Sequence, residues 1–583
     1  MGDQVSVAKL FETFHDRFFG SFKETKGSPR PAATGLAMTP MKKILFLYPT
    51  NRKRTLESVR NGDSPDNELY GLNHFESLGW QASFVDVSPT WQNFLDKVFF
   101  PLGRLFRQQI DITFQLGRAL LVLPAMNRSD VILTNTDSIG LPVCFLKRLG
   151  FVKPPVVYAV GLFYIQGKLK QVVDAGATTL FRRFYTWILS AVDHIVYHSP
   201  IEKEKLIKLG LYNPAKCTFV AMGSDGNFFR NIKRSDLAVP ASAGGRQGRT
   251  LTDTPLVLAV GRDHARDYET LFAAALELPD VEFVVICSRR NIEGLTAPEN
   301  VKILLDLPYR EVARWYRKAT VIVIPMKEMY RSSGQMTLTD AIQAGKPIIA
   351  SDVIGISHYG LRNGIDVLLV PPGNSDLLKQ AISRVVSDDN LRRRLGTQTE
   401  KLAARFTTEN YAMNIAEAVG WAVDPIRLRS VNRADLEFIR RLRNENRQYF
   451  FDSNYISRQD QRKWFENQQN RTDDYMFILE DQGNQVGIGA IYHIDKTRKQ
   501  AEIGRFVVDK QFQGRGYGKL LTKKIERIVR MEMDLENIYL EVFGSNIGAV
   551  NLYLENGFIK SRERIHNDKR VLLMIKSLRG KKE

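Results

Sequence analysis

Three stretches of this sequence combine residue types suited to holding phosphates. Between residues 507 and 521, glycines fall at 514, 516 and 518, after an apolar run and ahead of a helix whose apolar face carries Leu520, Leu521, Ile525, Ile528 and Val529. Residues without side chains let successive N–H groups converge on a pyrophosphate, and the helix terminus adds positive potential. Between residues 256 and 271, an apolar run ends in Gly261, and Arg262 and Arg266 follow. Paired guanidiniums at the carboxyl end of a strand suit a diphosphate leaving group. Between residues 331 and 350, a polar turn holding Gly334 opens a helix that ends near Gly345. Free N–H groups at that helix start would face anionic oxygens, and Asp340 inside the helix would accept hydrogen bonds from ribose hydroxyls.

These groups need a scaffold to aim them. From residue 41 onward the pattern alternates strands and helices, with strands predicted at 43–48, 82–87, 131–135, 156–160, 194–198 and 218–221. A polar segment at 241–250 reads as a surface insertion or linker. A second set is predicted at 256–260, 281–286, 301–304, 320–325, 347–351 and 367–370. Two successive α/β sets predict two Rossmann-like parallel sheets facing across a cleft. Near Asp424 the grammar changes to a mixed α+β domain, with strands at 426–430, 475–480, 486–493, 502–508, 538–543 and 570–576 and helices at 433–446 and around 458–467. The expected divisions are an appendage at 1–40, domains at 41–235 and 236–423, and a C-terminal domain at 424–583.

Composition narrows the class. Of 583 residues, 44% are hydrophobic and 25% charged, which excludes a chain disordered throughout. No run of 18 apolar residues predicts a membrane-spanning helix, and residues 5–22 mix Phe with Lys, Glu, Asp and His rather than forming a signal-peptide core. Cys144, Cys217 and Cys287 are few and far apart, so no disulfide framework is expected and a reducing cytoplasm is the natural setting. Lys and Arg number 83 against 64 Asp and Glu, a formal +19, which attracts nucleic acid, anionic headgroups or phosphorylated metabolites. No helix-turn-helix, zinc-finger or RRM signature supports nucleic acid as a partner. Two segments are amphipathic. Leu10, Phe11, Phe14, Phe18 and Phe22 share one helical face, either packed on the body or touching a membrane. Residues 97–118 interleave bulky apolar residues with Lys97, Arg104, Arg107 and Arg118 against Asp111, which reads either as a core helix or as a peripheral contact with an anionic membrane.

Residues 41–423, most strongly 256–400, resemble the retaining GT-B glycosyltransferases, specifically glycosyltransferase family four. The resemblance implies a nucleotide-diphosphate sugar donor in the cleft and no metal. It makes Arg262 and Arg266 the diphosphate-binding pair, and Asp340 the second acid of the family's E-x7-E element, which contacts ribose. The first acid falls at Ser332, a departure, so Gly334 and residues 335–337 would offer backbone amides instead. Residues 223–225 with Phe228 resemble the family's domain-crossing turn, and the customary histidine is absent at 159–163. Residues 426–578 resemble the GNAT acyltransferase superfamily, whose Q/R-x-x-G-x-G/A loop matches 513–518 and whose second motif matches Asn546, Ala549, Tyr553, Gly557 and Phe558.

That second resemblance implies acetyl-CoA as co-substrate, held by Val508, Gln513, Gly514, Arg515, Gly516, Tyr517, Gly518 and Asn546, with Tyr553 protonating the departing thiolate. Glu502, at the start of the strand before the loop, is the candidate base for the incoming ammonium, directly or through water, against the alternative of a solvated strand-end glutamate. Arg443, Asn444 and the 456–465 segment resemble members that acetylate nucleotide-linked amino sugars, and also ribosomal-protein acetyltransferases. The expected function is a bifunctional enzyme of surface polysaccharide or lipopolysaccharide assembly. It would N-acetylate an amino sugar and transfer a sugar, with retention, to a lipid-linked or saccharide acceptor at the inner face of the cytoplasmic membrane. Alternatives are a glycosyltransferase joined to a protein-amine acetyltransferase, and a degenerate transferase serving as a scaffold.

Overall fold

A computed structural model describes residues 25–26, 41–110, 112–159, 180–231, 254–328, 333–468, 471, 473–533 and 535–578. The chain divides into two compact units, one of Met1–Leu211 with Val220–Ala422 and one of Tyr212–Phe219 with Val423–Glu583. Tyr212–Phe219, inside the expected 41–235 domain, thus groups with the C-terminal residues.

In the first unit, β2 (Lys42–Leu47), β4 (Val131–Thr134), β5 (Val156–Ala159) and β6 (His194–Tyr197) are short and mostly apolar, as strands covered on both faces must be. They pair in parallel, and β3 (Trp80–Phe84) joins beside β2 and carries the antiparallel edge strand β1 (Thr25–Lys26), in the order β1-β3-β2-β4-β5-β6. The second sheet comprises β8 (Leu256–Val260), β9 (Glu282–Cys287), β10 (Val301–Leu305), β11 (Val321–Ile324), β12 (Ile348–Ser351) and β13 (Leu368–Val370), counting Cys217–Phe219 as β7. It is parallel throughout, in the order β10-β9-β8-β11-β12-β13. Phe283, Val285, Val321, Val323 and Ile349 form its core with Leu271, Ile382 and Leu395 from the covering helices. The chain winds outward from β8 to β10, then returns to place β11 on the other side of β8. That reversal opens a crevice at the carboxyl ends of β8 and β11, where open α/β sheets bind ligands.

The two sheets of this unit are tied by the 222–225 turn and the Thr408–Val423 helix. Ser224 N–H donates to Phe406 O, and a Cβ on Gly223 would lie 2.0 Å from Thr407 O. Gly71, at φ +86°, sits so close to that helix that a Cβ would come 2.8 Å from Ala412 Cβ. The final helix of the expected 236–423 domain therefore packs back on residues of 41–235.

The second unit is one mixed sheet: β14 (Ile426–Ser430), β15 (Tyr475–Asp481), β16 (Asn484–Asp495), β17 (Gln500–Val508), β18 (Asn537–Phe543), β20 (Lys569–Ser577) and β19 (Ile559–His566), in that spatial order. Hairpin partners are antiparallel. Only β17 and β18 run parallel, and they pair solely at Gln500–Asn537, Ala501–Ile538 and Glu502–Tyr539 before parting. A bulge between β16 and β17 adds a residue near Arg505, which takes φ +56°. The helices Leu436–Glu445 and Tyr517–Glu532 cover the sheet with Ile439 and Leu442, and with Leu521, Ile525, Ile528 and Val529, respectively. β19 has no counterpart among the strands read from sequence. It is an edge strand exposed along nearly its whole length, so it shows no inward alternation to read.

The amphipathic 97–118 segment splits. The helices Pro89–Val98 and Phe100–Ile110 expose Trp91, Phe94, Val98 and Phe100, with Lys97, Arg104 and Arg107 also exposed. Arg118 does not belong to that face. It is 4% exposed and donates to Asn51 Oδ1 and Gln92 Oε1, because its helix carries it into the core. Asp111 and the apolar residues of 1–40 lie outside the described residues. No helix among the described residues is long and apolar enough to cross a membrane.

Candidate functional sites

In the first unit, the crevice is organised around Arg266. β8 delivers Gly261, and a Cβ there would lie 2.0 Å from Arg266 Nε, so only glycine lets the guanidinium lie against the backbone. Arg266 Nε donates to Asp263 Oδ2 at 2.9 Å and Nη2 to Thr337 Oγ1 at 2.8 Å, while Nη1 is buried without a hydrogen-bond partner. Burial alone would raise the Asp263 carboxyl, but the Arg266 charge and several hydrogen bonds outweigh it and hold it below the usual range. Thr337 stands in the first turn of the Gln335–Gln343 helix, whose N-cap Gly334 takes φ +87°. A buried guanidinium nitrogen with an unused N–H, beside a helix N-terminus at the sheet's reversal, is a ready anion site.

The other predicted residues here are placed differently. Arg262 is half exposed, donates to Leu307 O at 2.9 Å and pairs with Asp306 at 3.6 Å. Asp340 is buried, and its Oδ1 accepts from Asn67 Nδ2 at 3.0 Å and from Ser224 Oγ. Burial raises its carboxyl to about 7, against the opposing effect of those two hydrogen bonds. Asn67, which reasoning from sequence did not single out, and Ser224, from the turn read as domain-crossing, thus occupy the acid expected to face ribose. Ser332 lies outside the described residues.

In the second unit, the parting of β17 from β18 opens a cavity of about 2100 Å³. Val508, Gln513, Gly514, Gly516, Tyr517, Gly518, Asn546 and Tyr553 all line it. The loop is built for backbone exposure. Gly514 and Gly516 adopt φ +74° and +81° with open space where a Cβ would stand, and Gly516 caps the Tyr517–Glu532 helix. Gly518 has a different task, since a Cβ there would come within 3.1 Å of Leu552 on the Ile547–Glu555 helix. Gln513 Nε2 donates to Val508 O, Tyr517 Oη to Asp481 Oδ2, and Asn546 Oδ1 accepts from Ala549 N–H. Arg515 lies over the Phe512 ring and is not among the lining residues.

Tyr553 packs between Phe506 and Phe558, and burial raises its phenol well above the usual value, so it stays protonated at neutral pH. Glu502 stands beside the point where the strands part, yet it does not line the cavity. Its carboxylate accepts from Tyr492 Oη at 3.0 Å and binds His493 Nδ1 at 2.8 Å. Tyr492 does line the cavity, and burial followed by the Glu502 charge raises its phenol. Tyr492 and His493 were not singled out from sequence. They fall on β16, and only its antiparallel register sets Tyr492 opposite Glu502.

A cavity lined by a glycine loop at a helix start and by a protonated phenol fits a phosphate-tailed acyl carrier. A buried guanidinium beside a helix start fits a diphosphate. Residues 439–558 match the family model described as "Acetyltransferase (GNAT) family", and residues 254–388 match "Glycosyl transferases group 1". The chain is 26% identical over 254 residues to the D-inositol 3-phosphate glycosyltransferase of Nocardioides sp., covering 39% of this chain and 53% of that one. It therefore spans about half the length of that relative. It is 29% identical over 136 residues to the spermidine N(1)-acetyltransferase of Vibrio cholerae, covering 23% of this chain and 78% of the relative. The crystal structure of the Vibrio cholerae spermidine N-acetyltransferase with CoA and spermine covers 26% of this chain and 95% of its own, at 26% identity and a TM-score of 0.25. The chain thus joins a segment that matches the glycosyl transferases group 1 model to a segment that matches the acetyltransferase (GNAT) model.

Proposed function

We propose that this is a bifunctional enzyme that acetylates the amino group of an amino sugar from acetyl-CoA and transfers a sugar from a nucleotide-diphosphate donor to a lipid-linked or saccharide acceptor. The setting would be surface polysaccharide or lipopolysaccharide assembly, with domains taken as 41–235, 236–423 and 424–583 after an appendage at 1–40. The observation that carries the acetyl half is the splayed β17–β18 cavity ending on the glycine loop. There the amides of 514–518 would hold the pyrophosphate, and the thioester supplies the activated acetyl group. Tyr553 Oη would give its proton to the departing sulfur as the new C–N bond forms and the C–S bond breaks. The amine would lose its proton through Tyr492 to Glu502, whose carboxylate already accepts the Tyr492 hydroxyl hydrogen.

In the glycosyl half, Arg266 Nη1 and the first amides of the Gln335–Gln343 helix would hold the diphosphate as its charge develops, with Arg262 at the rim and Gly261, Ser332 and Gly334 around the donor, while Asp340 would brace that helix through Asn67 and Ser224 rather than face ribose. Retention of configuration and independence from metal belong to this reading. The exposed Trp91, Phe94 and Phe100, interleaved with Lys97, Arg104 and Arg107, support peripheral contact with an anionic leaflet from the cytoplasmic side. Mass spectrometry of the purified full chain with acetyl-CoA, amino-sugar nucleotides and peptide amines tests the acetyl half. Acetylated amino sugar is expected. Acetylated peptide alone would replace the amino-sugar reading with the protein-amine one.

A further inference from the structure

Arg443 ends the Leu436–Glu445 helix and lines the cavity of the second unit. Its guanidinium lies on the Phe450 ring, 3.5 Å from the centroid, and Nη1 is buried with no hydrogen-bond partner. Its neighbours leave it unmatched. Arg505, which crosses the Tyr492 ring at 4.4 Å, is neutralised by Asp474 through bonds of 2.8 and 2.9 Å. Arg441, two residues before Arg443, is taken by Asp509 and Glu445. Glu502 is committed to Tyr492 and His493, and Asp452, the carboxylate that faces Arg443, is exposed to water. Burial and the Arg505 charge both press against the charged form and lower Arg443 to about 10, so it remains a cation at neutral pH.

A half-buried cation with a buried, unpartnered nitrogen, whose facing carboxylate is screened by water, is poorly compensated, and such groups persist where a ligand completes them. Stacking on Phe450 holds the guanidinium plane and leaves its edge to grip two oxygens at once. We infer that the acceptor amine of this unit also bears an anionic group, a phosphate or a carboxylate, which seats on Arg443 while the amine lies beside Tyr492. A polycationic acceptor would meet the reverse of what it needs, since each ammonium approaching Arg443 adds repulsion. The inference rests on the acetyl-transfer reading above, and narrows its substrate class.

The test compares the full-length protein with Arg443→Gln and Arg443→Lys, using acetyl-CoA and one amino sugar as its nucleotide diphosphate, its uronate and its neutral methyl glycoside, with spermidine as the fourth acceptor. The wild type is expected to favour an anionic acceptor over the glycoside and spermidine by tenfold or more in kcat/KM. The better of the nucleotide and the uronate identifies the anion as phosphate or carboxylate. Arg443→Gln should erase that preference through the acceptor KM, Arg443→Lys should restore part of it, and the KM for acetyl-CoA should hold in both, which also reports an intact fold. An equal loss on all four acceptors, a preference for spermidine, or a rise confined to the acetyl-CoA KM would overturn the inference. Calorimetry of the nucleotide diphosphate in the presence of CoA separates the two readings. Arg443-dependent binding without acetylation would sink acetyl transfer alone, and binding indifferent to Arg443 would sink the anion site.

Discussion

The two regions proposed to bind anions are made of different materials. In the first unit the unused donor is a side chain, Arg266, buried and oriented by Asp263 and Thr337 and admitted only because Gly261 has no Cβ. In the second unit the proposed donors are the backbone amides of one glycine loop, whose Gly514, Gly516 and Gly518 line a cavity of about 2100 Å³. A side-chain cradle draws on groups far apart in sequence and is lost when any support shifts. A backbone cradle is local, and its tuning lies in the tyrosines and arginines around it.

Substitutions can separate the two designs. Tyr553→Phe carries the largest expected effect, a loss of about 10²–10⁴-fold in the kcat of acetylation with the acetyl-CoA KM preserved and glycosyl transfer untouched, read by steady-state kinetics of both activities. Gly261→Ala should displace the Arg266 guanidinium and cost glycosyl transfer about 10²–10³-fold, as removing a preplaced donor does, while acetylation is retained. Equal damage to both activities would break the comparison.

Asp340 gives a pH test confined to the first unit. Its folded value of about 7 lies above the ordinary carboxyl range, so the folded form binds the extra proton. The stability this confers is complete below about pH 4 and is lost as pH rises through about 7, by on the order of a few kcal/mol. Asp340→Asn should flatten that dependence in thermal melts taken from pH 4 to 8. The smallest effect is expected at Arg262→Ala. With its guanidinium half exposed and engaged by Leu307 and Asp306, its loss should slow glycosyl transfer by only about threefold, as befits a solvent-screened cation. A loss matching that of Gly261→Ala would restore the equal pairing of Arg262 with Arg266.

Much of the architecture was legible in the sequence because its signals are local. Apolar runs at 256–260 and 320–325 and the glycine spacing at 514–518 each fix a backbone path by themselves, and they marked two strands and a glycine turn ahead of a helix, whereas the strand order that makes the reversal point came only from the fold. The amphipathic pattern of 97–118 was half legible. Periodicity grouped Arg118 with Lys97, Arg104 and Arg107, but the packing of its short helix turned it inward. β19 escaped because an exposed edge strand leaves no apolar rhythm.

By itself, the sequence determined two α/β sets followed by a mixed α+β unit, and it singled out the glycine loop and the Gly261 strand end proposed to hold phosphates. Tertiary structure decided which side chains are free to act. It set Tyr492 between Glu502 and the cavity, spent Asp340 on Asn67 and Ser224, and left Arg266 and Arg443 each with a buried, unmatched nitrogen. The reason is physical. Helix and strand follow from neighbours in sequence, whereas a hydrogen bond or an absent counter-ion depends on groups that only folding brings together.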